Sequence, residues 1–284
     1  MAQQGVLGEV IRAQGAYIHN LDQFWDYYWK DGKNDKLGWR LDYNMRHRGD
    51  VYATHGLGPV AQALNIHRGD RMKTLVAMDT KSIVGKSLVE QRTDSVCNNF
   101  RNGDHTTTLI RTESGKVIEI QHNVMTPQPY NRLYQLTGTK GFANKYPTQG
   151  YALSADQLTA SGIQPQVDNL SAHGFMPKAE QDALVEKYRH PILKKYGEMA
   201  KEVGGHGGMD FIMDSRLIYC LQNGLPLDMD VYDLAEWCCL AELGELSMDN
   251  NCAAVSVPDF TRGEWNTIKG FKPVSYTHLR AHET

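Results

Sequence analysis

A phenol and an imidazole lie three residues apart in the segment VYATHGLGPV, which runs from Val51 to Val60. An apolar run with helical spacing follows, so Tyr52 and His55 would stand at the mouth of a helix. Such groups can hold or exchange protons at hydroxyls. The segment therefore predicts either an ordinary helix start, capped by Thr54 or His55, or half of a catalytic site.

The sequence gives weaker evidence for other kinds of catalytic or binding site. HExxH, GxxxxGK[ST] and GxSxG are absent, and no GxGxxG follows a strand. In GGHGGMDF, His206 precedes Asp210 by one helical turn, a spacing that could bind a metal, although a hydrogen bond between the two at a helix start is commoner. Arg40 beside Trp39, and Tyr130 within PQPYNR, supply the planar donors and aromatic faces that a sugar site needs.

Four segments, in order, carry a resemblance to a known family: GWRLDYNMRHRGDVYATHGLGPV, EIQHNVMTPQPYNR, TGTKG and GGHGGMDF. Together they resemble glycoside hydrolase family 109, the NAD-dependent α-N-acetylgalactosaminidases of the glucose-fructose oxidoreductase-like superfamily. The resemblance extends from about Gly5 to Pro273. It implies a fold in two parts: an N-terminal dinucleotide-binding domain, and a C-terminal α+β domain whose open, mostly antiparallel sheet covers the nicotinamide.

The resemblance covers only the second of those parts. We expect residues 1–10 to be the end of a dinucleotide-binding domain that is otherwise missing. Residues 11–273 should form the C-terminal substrate and oligomerisation domain, with helices packed on one face of the sheet. Residues 274–284, VSYTHLRAHET, fit no pattern and are expected to be a non-native tail. The main NAD site would then lie outside this chain, and the open sheet would pair with a second copy.

The family's substrate contacts carry over to matching positions, which the resemblance implies line a pocket for a terminal α-linked N-acetylgalactosamine: Arg40, Tyr52, Ala53, Thr54, His55 and Tyr130. Tyr52 and His55 are the catalytic candidates. In the implied mechanism NAD takes a hydride from C3 of the sugar, a base removes the proton on C2, and the group on C1 departs by elimination. Water then adds at C1 and the hydride returns to C3. The cofactor carries the hard step, and the protein supplies orientation and proton transfer.

Two other functions stay open at this point. A sugar oxidoreductase of the same superfamily would accumulate NADH, and a sugar-binding or oligomerisation module would have no turnover. Oxidoreductases of the superfamily often carry Asp-x-x-x-His on this helix, whereas here Val51 stands four before His55 and Asp50 comes one place too early. This departure favours the glycosidase.

The elements that must position these residues are mainly strands. Alternation predicts strands from Ile11 to Ile18, in RMKTLVAMD, and in HTTTLIRT and KVIEIQHNV, which ESGK joins as a hairpin. Two more segments, YNRLYQLTGTKG and GFANKYPTQGYAL, continue the series. Only the helix after Tyr52 interrupts it, and residues 21–50 are expected to form an aromatic-rich loop. The pattern predicts an open antiparallel sheet.

Three helices should follow. The first breaks at Pro191, the second ends at Gly224, and the third begins near Val231. Their spacing predicts an apolar face on each of two helices: Met209, Ile212, Met213, Leu217, Cys220 and Leu221 on the second helix, and Val231, Leu234, Ala235 and Cys238 on the third. Elements that would pack on the missing domain are expected to expose apolar surface.

Composition argues against some classes of partner and site. The 284 residues carry a net charge of -3 with no run of Lys and Arg, which argues against nucleic acid. No stretch approaches the roughly 20 apolar residues that span a bilayer. Five Cys without a CxxC pair fit neither a disulfide framework nor a zinc site, so Cys220, Cys238 and Cys239 are expected to be buried hydrophobes. Localisation is not readable, because the family's export signal would precede this segment.

Overall fold

The computed structural model describes residues 1–24, 26, 29–31, 36–93, 100–163 and 173–268. The expected non-native tail at 274–284, Cys97, and Trp25 of the aromatic-rich segment lie outside the described residues.

Ten strands and eight helices are described. The strands are β1 (Val10–Ile18), β2 (Lys30–Asp31), β3 (Lys36–Leu37), β4 (Met72–Asp79), β5 (Thr106–Thr112), β6 (Val117–Asn123), β7 (Tyr134–Gly138), β8 (Gly141–Asn144), β9 (Gly150–Leu153) and β10 (Val255–Ser256). The helices are α1 (Trp39–Arg46), α2 (Ala53–Ala63), α3 (Val84–Thr93), α4 (Ala155–Ala160), α5 (Lys178–Tyr188), α6 (Pro191–Val203), α7 (Met209–Asn223) and α8 (Val231–Asp249).

One eight-stranded sheet organises the fold, in the order β10-β4-β5-β6-β1-β7-β8-β9. Its neighbours pair antiparallel except β1 and β6, which run parallel with Tyr17 level with His122. The strands β2 and β3 form a separate ribbon. The predicted α+β fold with an open, mostly antiparallel sheet is confirmed, as are the hairpin at ESGK and the strand that ends at Ile18.

Helices α2 and α8 pack on one face of this sheet and on each other. Alternate strand positions such as Leu75, Ile110 and Ile118 are buried there, in register with one another. The opposite face is more exposed and polar: on it Arg12 pairs with Glu119 at 2.6 Å. The sheet therefore has a packed side, which holds the core, and an open side.

Two glycines let helix α2 lie close to the sheet. A Cβ on Gly15 of β1 would lie 2.1 Å from the carbonyl oxygen of Gly56 in α2, a distance that no side chain tolerates. A Cβ on Gly56 would in turn lie 3.0 Å from Ile120 of β6. The backbones of β1 and α2 are thus in direct contact, and this contact fixes the height of the first turn of α2 above the sheet.

Some local predictions are wrong. Residues 21–50 are not all loop, because Trp39–Arg46 forms α1, and α3 is a second unpredicted helix. Helix α2 begins at Ala53 with Tyr52 as its N-cap residue, and no side-chain cap bond is made, so neither Thr54 nor His55 caps it. The break at Pro191 and the end of α7 at Gly224, whose φ is 61°, agree with the sequence.

The apolar faces predicted on α7 and α8 are largely exposed. Met209 and Leu221 on α7 are each 66% exposed, and Leu234 on α8 is 57% exposed. Cys220 is buried as expected, but Cys238 is exposed. Amphipathic spacing shows that a helix has an apolar face, but it does not say what covers that face.

Within the described ranges, no helix combines the length and apolar composition needed to cross a bilayer.

Candidate substrate site

Four rings meet where β1 and β6 end and α2 begins. Tyr17 and His122 come from the two parallel strands, and Tyr52 and His55 come from the start of α2. The Tyr17 ring lies 4.6 Å from His55 in a perpendicular arrangement and 5.1 Å from Tyr52, measured between centroids. Tyr52 and His122 are stacked at 6.0 Å. Tyr17 is therefore the centre of the cluster.

Helix α1 brings an arginine to this cluster. Nε of Arg40 donates a hydrogen bond to the Tyr52 hydroxyl at 2.7 Å. The guanidinium also lies over the ring of Trp39, 4.4 Å from its centroid, and that indole is largely exposed. Because the side chain is held at both its donor edge and its flat face, its orientation at the mouth of the site is set before any ligand binds.

His55 is kept uncharged by its surroundings. Burial lowers the pKa of its imidazole, and the charges of Arg132 and His19 lower it further. Its Nδ1 lies 3.3 Å from the hydroxyl of Thr54, while the described residues offer Nε2 no hydrogen-bond partner. A neutral imidazole with one free nitrogen can accept a proton near neutral pH.

His19 and Tyr130 form the outer wall. Nδ1 of His19 lies 3.2 Å from the Tyr17 hydroxyl, and burial, with Arg132 as a second cause, lowers the pKa of this imidazole too. The Tyr130 ring stands perpendicular to His19 at 4.9 Å and is 48% exposed. Arg132 joins the wall to α2, since Nη1 lies 3.4 Å from the Tyr130 hydroxyl and Nη2 3.4 Å from the carbonyl oxygen of His55.

Two buried titratable groups lie beneath the site. Burial lowers the pKa of His122 to about 3, so this imidazole is neutral, and its Nε2 has no hydrogen-bond partner among the described residues. Burial raises the pKa of Asp50 to about 7. One Asp50 oxygen accepts the backbone N–H of Tyr52 at 2.9 Å, and the other has no partner in the described part of the chain.

The structure brings most of the candidate residues together. Arg40, Tyr52 and His55 meet around Tyr17, and Tyr130 reaches the same group through His19. Thr54 contacts His55, whereas the side chain of Ala53 is buried in the core, so only its backbone could contact a ligand. Their role as substrate contacts stays a prediction.

Sequence reasoning missed Tyr17, His19, His122 and Arg132 as members of the site. A signal was present, because the dipeptide His-Asn follows β1 directly in YIHN and ends β6 in IQHN. Neither dipeptide means much until the two strands are known to be neighbours, and parallel pairing is not encoded in either strand alone.

In two other clusters that contain His and carboxylate side chains, these side chains already bind groups of the same chain. Nδ1 of His206 lies 2.9 Å from a carboxylate oxygen of Asp210, the hydrogen bond expected as the alternative to a metal. His67, Asp230 and Asp233 lie close enough to hold an ion. However, the guanidinium of Arg68 already donates to both oxygens of Asp233, at 2.9 and 2.8 Å, and Asp230 caps α8.

Comparisons with known proteins agree with this architecture. Residues 1–267 match the family model for the glycosyl hydrolase 109 C-terminal domain. Glycosyl hydrolase family 109 protein 4 of Phocaeicola vulgatus is 85% identical over 272 residues, which are 96% of this chain and 53% of that protein. The chain thus spans about half the length of the curated relatives it matches.

Solved structures share the fold at low identity. Levoglucosan dehydrogenase in complex with NADH and L-sorbose superposes with a TM-score of 0.53 at 16% identity, over 92% of this chain and 63% of that one. An oxidoreductase domain protein from Kribbella flavida gives a TM-score of 0.56 at 14% identity, over 91% of this chain and 63% of that one.

Proposed function

Because the chain belongs to the glycosyl hydrolase 109 C-terminal domain family, we propose that it supplies the sugar-binding half of an NAD-dependent glycosidase that releases terminal α-linked N-acetylgalactosamine. One observation carries the proposal. Arg40, Tyr52, His55 and Tyr130, the contacts implied by the resemblance, converge on one cluster at the ends of β1 and β6, although Tyr130 lies 75 positions beyond His55 (130 − 55).

The chemistry of the cluster suits a sugar. Aromatic rings at the rim, Trp39 and Tyr130, offer flat apolar faces to the C–H side of a pyranose. The Arg40 guanidinium and the Tyr52 hydroxyl, already bonded to each other, offer donors and an acceptor to the sugar hydroxyls. The site can therefore recognise both faces of a ring.

The residues present also fit the reactive end of NAD. His19 and His55 are uncharged, because burial and the charge of Arg132 lower the pKa of each imidazole, so neither adds positive charge against an oxidised nicotinamide. The sequence has no glycine-rich phosphate loop, and we therefore assign the phosphates of the cofactor to residues outside this chain. NAD bound here would supply reversible hydride exchange with C3 of the sugar, and the oxidised C3 would acidify the proton on C2.

The chain's own residues perform the proton transfer. His55 accepts the C2 proton at Nε2. Its lowered pKa leaves the imidazole unprotonated, and the Thr54 hydroxyl lies beside the other nitrogen, Nδ1. Tyr52, held by Arg40, positions a sugar hydroxyl. Two carboxylates at a fixed separation, which most glycosidases require, are not needed for this chemistry.

A plain sugar oxidoreductase is the weaker candidate. Its expected Asp-His dyad is not formed, because Asp50 accepts the backbone N–H of Tyr52 and makes no described contact with His55. The two functions differ in a measurable way, since an oxidoreductase accumulates NADH whereas the glycosidase returns its hydride in each turnover.

A fusion protein tests the proposal. The first half of the Phocaeicola vulgatus relative, joined ahead of this chain, should release the chromophore from an α-N-acetylgalactosaminide only with NAD and without net NADH. His55→Asn and Tyr52→Phe should each reduce the rate by about 10²-fold or more. Tyr43→Phe is the matched control, because Tyr43 stacks on His47 away from the cluster. No release by the fusion protein, or full activity of His55→Asn, would contradict the proposal.

A further inference from the structure

Arg132 is a partly buried arginine whose described partners are all neutral groups. Its three described partners are the carbonyl oxygen of His55, the hydroxyl of Tyr130 and the ring of Tyr17, whose centroid lies 5.6 Å from the guanidinium carbon. Its Nε is buried and has no hydrogen-bond partner among the described residues. No described carboxylate forms an ion pair with it.

Two other partly buried arginines, Arg48 and Arg68, are neutralised by carboxylates. Arg48 pairs with Asp79 at 2.7 Å and with Asp249 at 2.9 Å. Arg68 pairs with Asp233 at 2.8 Å. A cation held away from water without a counter-charge is costly, so a chain that retains one usually provides for an anion.

The charge of Arg132 acts on the candidate site itself. It lowers the pKa of both His19 and His55, so the guanidinium lies close enough to bias the imidazole that accepts the proton. Its contact with the His55 carbonyl ties it to the first turn of α2. A counter-charge for Arg132 would therefore have to appear on a ligand bound beside His55.

We propose that Arg132 is the oxyanion-binding residue of this site, which pairs with the sugar oxygen that becomes negative when His55 removes the C2 proton. The inference rests on the proposed function. As the C2–H bond breaks, the proton goes to Nε2 of His55, and the electron pair forms the C2–C3 double bond while the C3 carbonyl oxygen becomes an enolate. The enolate then expels the C1 substituent: the C3 carbonyl re-forms, the electron pair of the C2–C3 double bond becomes a C1–C2 double bond, the C1–O bond breaks with its electron pair, and the leaving alkoxide takes the proton held on Nε2 of His55.

This assignment gives one cation two effects that work together. Before the proton moves, burial and the positive charge of Arg132 together lower the pKa of His55, so the imidazole is unprotonated and has a nitrogen open to the proton. After it moves, the same charge faces a negative oxygen, with which it interacts more strongly than with a neutral carbonyl. The interaction is strongest in the transition state and so should act on kcat rather than on KM.

The experiment compares Arg132→Gln, Arg132→Lys and Arg111→Gln, the last being a control on the exposed part of β5. In the fusion protein, Arg132→Gln should reduce kcat by about 10²–10³-fold with little change in KM. In the 284-residue chain, NMR titration of the histidine ring protons should show the pKa of His55 rising in Arg132→Gln and staying low in Arg132→Lys. Arg132→Lys should recover part of kcat, and Arg111→Gln should change neither quantity.

Three results would overturn the assignment: a kcat of Arg132→Gln within about threefold of the parent, a loss confined to KM, or an unchanged pKa of His55. Failure of this inference and of the proposed function look different. If the parent fusion protein does not turn over, both fall; if it turns over and Arg132→Gln does so equally well, only the oxyanion role falls. The Lys variant guards against misfolding, because it keeps the charge and most of the side-chain volume.

Discussion

Replacing Gly15 by Ala should disturb both stability and the candidate site through one atom. The added Cβ would lie 2.1 Å from the carbonyl oxygen of Gly56 and 3.2 Å from Ile120. Cβ contacts below 3.0 Å are essentially never seen, so α2 and β1 must separate by about 1 Å. The conflicting atom is backbone, which cannot rotate away as a side chain could.

The size of the effect follows from that displacement. Overpacking of this kind costs roughly 1–3 kcal/mol, against a gain of about 0.4–1 kcal/mol from the stiffer unfolded chain. We expect a net loss of about 1–2 kcal/mol in the free energy of unfolding. The same displacement moves Tyr52 and His55, and misplacement of reacting groups by 1 Å can cost on the order of 10²-fold in rate.

Urea unfolding of the 284-residue chain, followed by circular dichroism, measures the first quantity, and turnover of the fusion protein measures the second. Gly197→Ala is the matched control. It lies within α6 with nothing near its prospective Cβ, so this change should stabilise the chain by about 0.5–1 kcal/mol. If Gly15→Ala is as stable as the parent, the contact between β1 and α2 is not as close as described and the reasoning fails.

Three further predictions can be tested on the 284-residue chain. Folded Asp50 keeps its proton up to about pH 7, whereas an unfolded Asp releases it near 3.8, so this group lowers the free energy of unfolding as pH rises between those values. Asp50→Asn should therefore remove a pH-dependent loss of at most about 4 kcal/mol in the free energy of unfolding. In urea unfolding from pH 4 to 8, this free energy should fall less steeply with pH in the variant than in the parent, and equal slopes would contradict the prediction. The exposed apolar face of α7 should make the chain self-associate in gel filtration, and Met213→Glu with Leu221→Glu should reduce this, while a clean monomer peak for the parent would show the prediction to be wrong. Titration calorimetry should find no tight NAD binding to this chain, because it has no glycine-rich phosphate loop, and micromolar affinity would refute that expectation.

Local patterns predicted the sheet well and the burial of helices poorly. The β5–β6 hairpin follows from two alternating runs joined by a turn, and both runs lie next to each other in sequence. Helix α1 was not predicted because Asp42 and Asn44 interrupt its apolar periodicity. Asn44 is nevertheless buried, and its side chain accepts a hydrogen bond from Asn102. Helical spacing predicted the apolar faces of α7 and α8 but carried no information on what covers them, and Cys238, which was expected to be buried, is exposed.

Some residues of the candidate site could likewise be predicted from local sequence, and others could not. Tyr52 and His55 are adjacent on one turn, so spacing and the family resemblance were enough to select them. Tyr17 and His122 become neighbours only through the register of two strands, and Arg132 reaches α2 from a separate loop. Long-range pairing is a property of the whole fold, and no short window of sequence contains it.

The parallel pairing of β1 with β6 also has a consequence for how the protein folds. Tyr17 and His122 are 105 positions apart (122 − 17), whereas Thr106 and His122 across the β5–β6 hairpin are 16 apart (122 − 106). Closing the longer loop costs about 1.7 kcal/mol more in chain entropy. The hairpin can form early, but the candidate site can assemble only after the slower, non-local step. During synthesis, a nascent chain that ends before β6 cannot form the site. On refolding, the return of turnover would report β1–β6 pairing rather than the recovery of secondary structure.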